Sequence, residues 1–341
     1  MNDWINSLAH RGVRLVSDVS GCLGVDFGTP HADTETLAQG VMAIPLLHLG
    51  LIRATGIDAA DFLNKMLSND LPGLAADAAQ WTSFNTAQGR MLANFLLWRV
   101  EDGLSLALSA DLTSDLLKKL SFYILRAKVK LALPEPERAL IGLVGPAASI
   151  CLARAGLPAL NSDMQQAAAD DARLIRINAG LFVIELPADG AASVFEALCA
   201  AGAKAGGMAD WRLATIRAGL PCVTAATQGA FVPQMLNFEA LGGISFTKGC
   251  YPGQEVVART QHLGKTKRRM FRLILSDAPA AGMPGGIPLH DPESGEQAGV
   301  IVDFAPLPEG GEALAVLQII HARPGGELHV GAPDGPRARI I

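Results

Sequence analysis

The sequence predicts an α+β protein that ends in a β-rich domain, and three observations carry that reading. Helical apolar stripes alternate with strand-like runs from about residue 41 to 266. Short turn-forming stretches separate neighbouring strand runs at hairpin spacing. After Arg269 the helical period disappears, and short β-rich segments are divided by Gly/Pro-dense loops. The 341 residues suffice for two or three domains with a large core.

Residues 1–40 are polar and rich in Gly, Thr and Asp after a short initial helix, and read as a loosely packed lead-in. Asp58 is placed to cap a helix whose Phe62, Leu63, Met66 and Leu67 share one face, with Asn69-Asp70-Leu71-Pro72 as its end. Segments 81–86, 90–99 and 104–109 form a predicted meander, turning at Ala87-Gln88-Gly89 and Glu101-Asp102-Gly103. Asp111 starts a helix expected to reach about Ala127, with Leu112, Leu116, Leu117, Leu120 and Ile124 as its stripe. A strand over 128–133 stops before Pro134 and Pro136. The same vocabulary returns as strand 138–144, helix 147–155, hairpin 173–177/181–186 and helix 190–201. Two similar αβ halves are therefore expected, about 41–136 and 137–266. Asp210 is read as the cap of a helix through Ala218, closed by Gly219 and Pro221. Segments 270–276, 297–304, 313–321 and 327–331 make the C-terminal domain, 267–341, a small barrel or sandwich.

Composition excludes several function classes. A net charge of −5 argues against nucleic-acid binding through bulk electrostatics, so an anionic ligand needs local positive charge. No apolar run approaches the roughly 18–20 residues of a membrane span, and Met1-Asn2-Asp3-Trp4 does not begin an export signal. Five cysteines (Cys22, Cys151, Cys199, Cys222 and Cys250) contain no CxxC pair, which suits a reducing cytoplasm. Cys151 and Cys199 lie in Ala/Leu helical stretches and read as core residues. The histidines form no zinc-type arrangement, so no metal site is expected, and no Walker loop, Rossmann fingerprint or nucleophile elbow occurs.

One octapeptide stands apart: Lys248-Gly249-Cys250-Tyr251-Pro252-Gly253-Gln254-Glu255. A lysine two residues before Cys250 and a helix start just after it both favour a thiolate. The thiol is open to nucleophilic, redox or metal-ligating chemistry, while a buried packing residue is the bland alternative. One cysteine does not hold an iron–sulfur cluster alone, since such clusters take about four thiolates or substitutes.

The run Pro233-Gln234-Met235-Leu236-Asn237, then Leu241 through Arg259 with this octapeptide inside it, closely resembles the YgfZ family. These are folate-binding relatives of the glycine cleavage T-protein, an aminomethyltransferase. Trp211 with Ile216-Arg217-Ala218-Gly219-Leu220-Pro221, the helix after Gly56-Ile57-Asp58, and the turn Gln88-Gly89-Arg90 extend the likeness over about residues 41–275. The resemblance implies three subdomains in a T-protein-like ring around a folate channel, with the C-terminal β-barrel as one of them. It further implies a cytoplasmic accessory protein that binds tetrahydrofolate and supports iron–sulfur cluster assembly or repair, and through it tRNA modification. Iron–sulfur enzymes or assembly proteins are the implied partners.

Site expectations follow. Cys250 and Lys248 are the reactive pair, while Trp211, Arg217, Tyr251, Gly253, Gln254, Glu255 and Arg259 are folate-binding candidates. For Trp211 the expected role is stacking on a flat pterin. An intrahelical Glu255–Arg259 ion pair and helix-end compensation by Arg217 are the structural alternatives. Lys265, Lys267, Arg268, Arg269 and Arg272 form a basic patch, read first as a solvated edge. T-proteins carry an acidic residue after the Gly-rich turn, but Gly89–Asn94 contains none; their pterin-anchoring glutamate falls at Val183, with Glu185 out of register. These departures weigh against the alternative of aminomethyl transfer. A structural folate sensor or docking module is the third reading.

Overall fold

A computed structural model describes residues 3–10, 13–18, 21, 23–29, 31–262, 266–276 and 282–341. Helix α1 (Asp3–His10), hairpin strands β1 (Arg14–Ser17) and β2 (Leu23–Asp26), and helix α2 (Thr34–Gln39) come first. Then follow β3 (Met42–Pro45), β4 (Leu49–Thr55), α3 (Ala59–Met66), β5 (Ala79–Asn85), β6 (Met91–Val100), β7 (Gly103–Ser109), α4 (Ala110–Ser121) and β8 (Lys130–Ala132). The next stretch holds β9 (Arg138–Val144), α5 (Ala148–Arg154), β10 (Gln165–Ala169), β11 (Ala172–Asn178), β12 (Leu181–Pro187), α6 (Ala191–Ala200), β13 (Lys204–Ala205) and α7 (Met208–Arg217). A 3-10 turn at Pro233–Leu236 and helix α8 (Gln254–His262) lead to β14 (Arg268–Leu275), β15 (Pro288–His290), β16 (Gln297–Pro306), β17 (Gly311–Gln318), β18 (Glu327–Val330) and β19 (Arg337–Ile340).

The class is α+β. One sheet has the order β5-β6-β7-β4-β8, and the second β10-β11-β12-β9-β3-β13. Strands β14-β17-β16-β15-β18-β19 close a barrel. Strand alternation places the core. On β12, Phe182, Ile184 and Leu186 face the layer of α5 and α6, while Leu181 and Val183 face the first sheet. On β6, Leu96 and Trp98 take the inter-sheet side, and Phe95 and Leu97 the opposite one. Both inner sheet faces are thus buried against each other. Helix α7 lies where the two sheets and the barrel meet.

Several local expectations are corrected. Residues 1–40 are not loose where described: Trp4 and Leu8 are 2% and 0% exposed, and the Trp4 and Phe195 rings meet edge-on at 5.8 Å. Their polar composition hid one apolar stripe on a short helix. The two halves are not separate in the chain, because β3 sits in the second sheet between β9 and β13. Met42–Pro45 is buried throughout, so four residues suffice for a central strand. Asp58 makes no side-chain cap bond and instead accepts from the Lys128 N–H at 2.6 Å. Asp210 is the third helical residue of α7; its Oδ2 accepts from the Gly207 N–H at 2.7 Å, the reciprocal half of a capping box. Helix α4 ends at Ser121 rather than near Ala127, with Phe122 82% and Leu125 88% exposed, while Ile124 and Ala127 still pack against the core.

A fastened loop and a receptive cleft: the candidate functional site

The octapeptide loop is built around Lys248. Its ammonium donates to the carbonyls of Leu67 at 2.7 Å and Asn69 at 2.8 Å, and to that of Asn64. An ammonium has three hydrogens, so all are committed. The acceptors belong to the end of α3, where carbonyls lack intrahelical donors and a cation is favoured. Lys248 Nζ also lies 5.3 Å from the centre of the Tyr251 ring. Burial lowers the Lys248 pKa to about 8, and Asp70 opposes the shift. Lys248 thus ties the loop to the end of α3.

Tyr251 is 7% exposed, its hydroxyl has no partner among the described residues, and burial pushes its pKa up to about 12. Gly253 has φ +79°, and a Cβ there would stand 2.4 Å from the Thr86 carbonyl oxygen and 2.6 Å from Gly89 Cα. The octapeptide thus packs on the Gln88-Gly89-Arg90 turn, joining two segments singled out separately from sequence. Gln254 Nε2 reaches the Lys248 carbonyl at 3.5 Å. Gln234 donates to the Val257 carbonyl at 2.7 Å, anchoring α8 to the 3-10 turn. Glu255 and Arg259 are exposed on α8 and form no ion pair with each other among the described residues. Cys250 is exposed.

Trp211 opens elsewhere. It is 5% exposed and lines a narrow, largely apolar cleft between the sheets and the barrel. A Cβ at position 142 would lie 2.5 Å from two indole carbons, so Gly142 of β9 lets the indole pack this close to the strand. Thr215, one turn on, shares the cleft. Arg217, six residues on, turns to another face. Its Nε and Nη2 donate to Glu312 Oε1 on β17 at 3.0 and 2.6 Å, and it lines a separate groove. Arg217 thus links α7 to the barrel, away from the cleft that Trp211 lines.

The rest of the cleft clarifies the departures read from the sequence. Val183 lines it and Glu185 does not. Glu185, 0% exposed, accepts from Arg53 at 2.7 Å, Trp98 Nε1 at 2.9 Å and Arg138 at 3.2 Å, which fastens the two sheets. Asn94 also lines the cleft, but its amide is occupied: Nδ2 donates to the Pro221 carbonyl at 2.9 Å and Oδ1 accepts from the Val223 N–H at 2.8 Å. The thiol in this wall belongs to Cys222, and Cys250 is not among the lining residues.

The sequence reading missed the polar end of the cleft. Arg212 pairs with Asp18 and, at 3.7 Å, with Asp303 of β16. Burial raises the Asp303 pKa, and Arg212 opposes that rise. His48 is 5% exposed, and neither ring nitrogen has a hydrogen-bond partner among the described residues; the Thr224 hydroxyl is in the same condition. Burial lowers the His48 pKa to about 3, with Arg212 adding to the effect and Asp18 opposing it. A lone histidine in the run Leu46-Leu47-His48-Leu49 was the available signal. Of the basic patch, Arg269 pairs with Glu239, and Arg272 stands 3.9 Å from Glu312; Lys265 lies outside the described residues. Among the described residues no group of three or more His, Cys, Asp or Glu side chains is placed to hold a metal ion. No helix there is long and apolar enough to cross a membrane.

Comparison with known proteins agrees with this architecture. The profile of the GCVT N-terminal domain matches residues 27–210. The tRNA-modifying protein YgfZ of Yersinia pseudotuberculosis serotype O:1b (strain IP 31758) is 32% identical over 263 residues, covering 75% of this chain and 79% of that protein. Its namesake from Yersinia enterocolitica serotype O:8 / biotype 1B (strain NCTC 13174 / 8081) is 30% identical, covering 74% and 78%. The crystal structure of glycine cleavage system aminomethyltransferase T from Bartonella henselae superposes with a TM-score of 0.73 at 19% identity, covering 98% of this chain and 94% of that one. That likeness is one of fold.

Proposed function

Because the chain belongs to the YgfZ family of proteins with a GCVT domain, we propose that it is a cytoplasmic, tetrahydrofolate-binding accessory protein. It supports iron–sulfur cluster assembly or repair and, through cluster-dependent enzymes, tRNA modification. The observation that carries the folate reading is the Trp211 cleft. Its apolar walls suit a flat ring, the indole packs closely against Gly142, and buried polar atoms without partners among the described residues favour a ligand with polar edges. Bound folate supplies one-carbon or redox chemistry of its own. The chain's residues bind and orient the ring and exclude water from it.

Cys250 then works away from the pterin. An exposed thiol on a loop pinned by Lys248, Gly253 and Gln254 is presented outward, where a partner's cluster or thiol can meet it. Iron–sulfur enzymes or assembly proteins are the proposed partners, and any cluster is shared with them. Aminomethyl transfer has less support: the stretch after the Gly89 turn offers the committed amide of Asn94, and the cleft carboxylate, Asp303, faces Arg212.

The test joins binding to rescue. Titration of the full chain with 5-formyltetrahydrofolate is expected to saturate, and Trp211→Leu to weaken binding at least about tenfold. Cys250→Ala is expected to keep folate affinity while failing to restore cluster-dependent activity in a strain lacking the protein. Absence of folate binding removes the cofactor; full rescue by Cys250→Ala removes the thiol's role. Turnover of an aminomethylated lipoyl carrier reinstates the transferase.

A further inference from the structure

We infer that His48 and Thr224 form a polar subsite at the end of the Trp211 cleft that reads the pyrimidinone edge of a pterin ring. The inference rests on the folate reading and goes further by naming the side chains that select the ring. Both residues line the cleft, at 5% and 8% exposure, and together they bring three polar atoms without a protein partner. Such atoms cost free energy when buried, and native proteins seldom leave them unmet without a reason.

Neighbouring polar groups are already engaged. Asn94 holds the 221–223 segment, Arg212 faces Asp18 and Asp303, and the Thr215 hydroxyl donates to the helix carbonyls of Trp211 and Arg212. Among these cleft-lining residues, His48 and Thr224 are the ones whose buried polar atoms have no partner among the described residues.

Their chemistry matches one edge of the ring. A neutral imidazole presents one N–H donor and one lone-pair acceptor, and a hydroxyl can do either. The pyrimidinone edge of a pterin carries an amino group, a ring N–H and a carbonyl in a row, two donors followed by an acceptor, so the subsite meets it with the hydroxyl and the imidazole lone pair accepting and the imidazole N–H donating. Burial keeps the imidazole neutral across the physiological range, preserving that pattern. A site that hydrogen-bonds a polar edge rejects ligands lacking it far more strongly than an apolar pocket rejects a changed shape.

The experiment titrates the full chain with 5-formyltetrahydrofolate and, separately, with p-aminobenzoylglutamate, which has the tail without the pterin. His48→Leu, His48→Gln, Thr224→Val and Trp211→Phe are compared with the unmodified chain, with near-UV circular dichroism checking that each keeps its packing. The expected result is about tenfold or greater loss of the pterin ligand in His48→Leu and Thr224→Val. Tail binding stays unchanged, and His48→Gln, which keeps a donor and an acceptor, recovers much of the loss. Unchanged pterin affinity in His48→Leu and Thr224→Val, with Trp211→Phe weakened, overturns the subsite and leaves the folate reading standing. Equal loss of ring and tail ligands also overturns it, because the residues then only shape the cleft. No folate binding by the unmodified chain overturns both.

Discussion

The octapeptide loop and the Trp211 cleft treat their polar groups in opposite ways. In the loop, Lys248 spends every hydrogen on the carbonyls ending α3, and Gly253 presses against the Gly89 turn. In the cleft, His48 and Thr224 are buried with nothing to bond. Lys248, with every hydrogen engaged, is a fastening, although the same loop buries the unpartnered Tyr251 hydroxyl; unmet polar atoms in a concave wall suit the proposed ligand site. The motif that stands out in the sequence is therefore chiefly a rigid mount for one exposed thiol. Apart from Trp211, the cleft is assembled from residues that draw little notice in the linear chain.

That contrast can be broken by substitution. Gly253→Ala is expected to cost about 3 kcal/mol, since a Cβ meets the Thr86 carbonyl and the backbone φ is +79°. Urea unfolding measures it, and a loss below about 1 kcal/mol removes the tight packing of loop on turn. Lys248→Met is expected to cost about 2 kcal/mol by leaving the α3 carbonyls without donors, with Lys248→Arg milder. If Lys248→Met melts like the unmodified chain, the fastening role fails.

The cleft side is sharpened by pH. Burial holds His48 at about 3 against a usual 6.5, so as pH falls the unfolded chain takes the proton first. The stability this group contributes is whole above about pH 6.5 and is lost as pH falls toward 3, with about 2 kcal/mol gone by pH 5. Unfolding free energies at pH 7 and pH 5 should therefore drop about 2 kcal/mol more in the unmodified chain than in His48→Leu. Equal drops place the ring in contact with solvent. The smallest effect belongs to Cys250→Ser, expected to change stability by less than about 0.5 kcal/mol because the side chain is exposed. A larger change in thermal unfolding shows the thiol to be a packing residue.

Much of the fold was legible because local rules and tertiary packing agree. The β6–β7 and β11–β12 hairpins, strand β9 and helices α5 and α6 lie within a few residues of where alternation and helical period place them. Legibility failed where a distant partner intervenes. Asp58 is diverted to Lys128, Asp210 serves a box begun by Gly207, and β3 leaves its sequence neighbours for the second sheet. At the site, the sequence marked Trp211 as a cleft residue and the octapeptide as distinct, but grouped them as one site. It overlooked Thr224 and Arg212 because no local pattern tells which partners a side chain meets, and His48 because a lone histidine in an apolar run is a weak signal.

By itself, then, the order of residues determined the secondary structure vocabulary, the barrel-forming C-terminal run and the chemical identity of the loop, all of which depend on neighbours within a few positions. Tertiary structure alone decided which polar atoms meet a partner. Lys248 finds carbonyls some 180 residues back, Arg217 finds Glu312 across the barrel, and Glu185 finds three donors on two sheets. Hydrogen bonds are short-ranged and directional, so their completion depends on where chain segments come to rest.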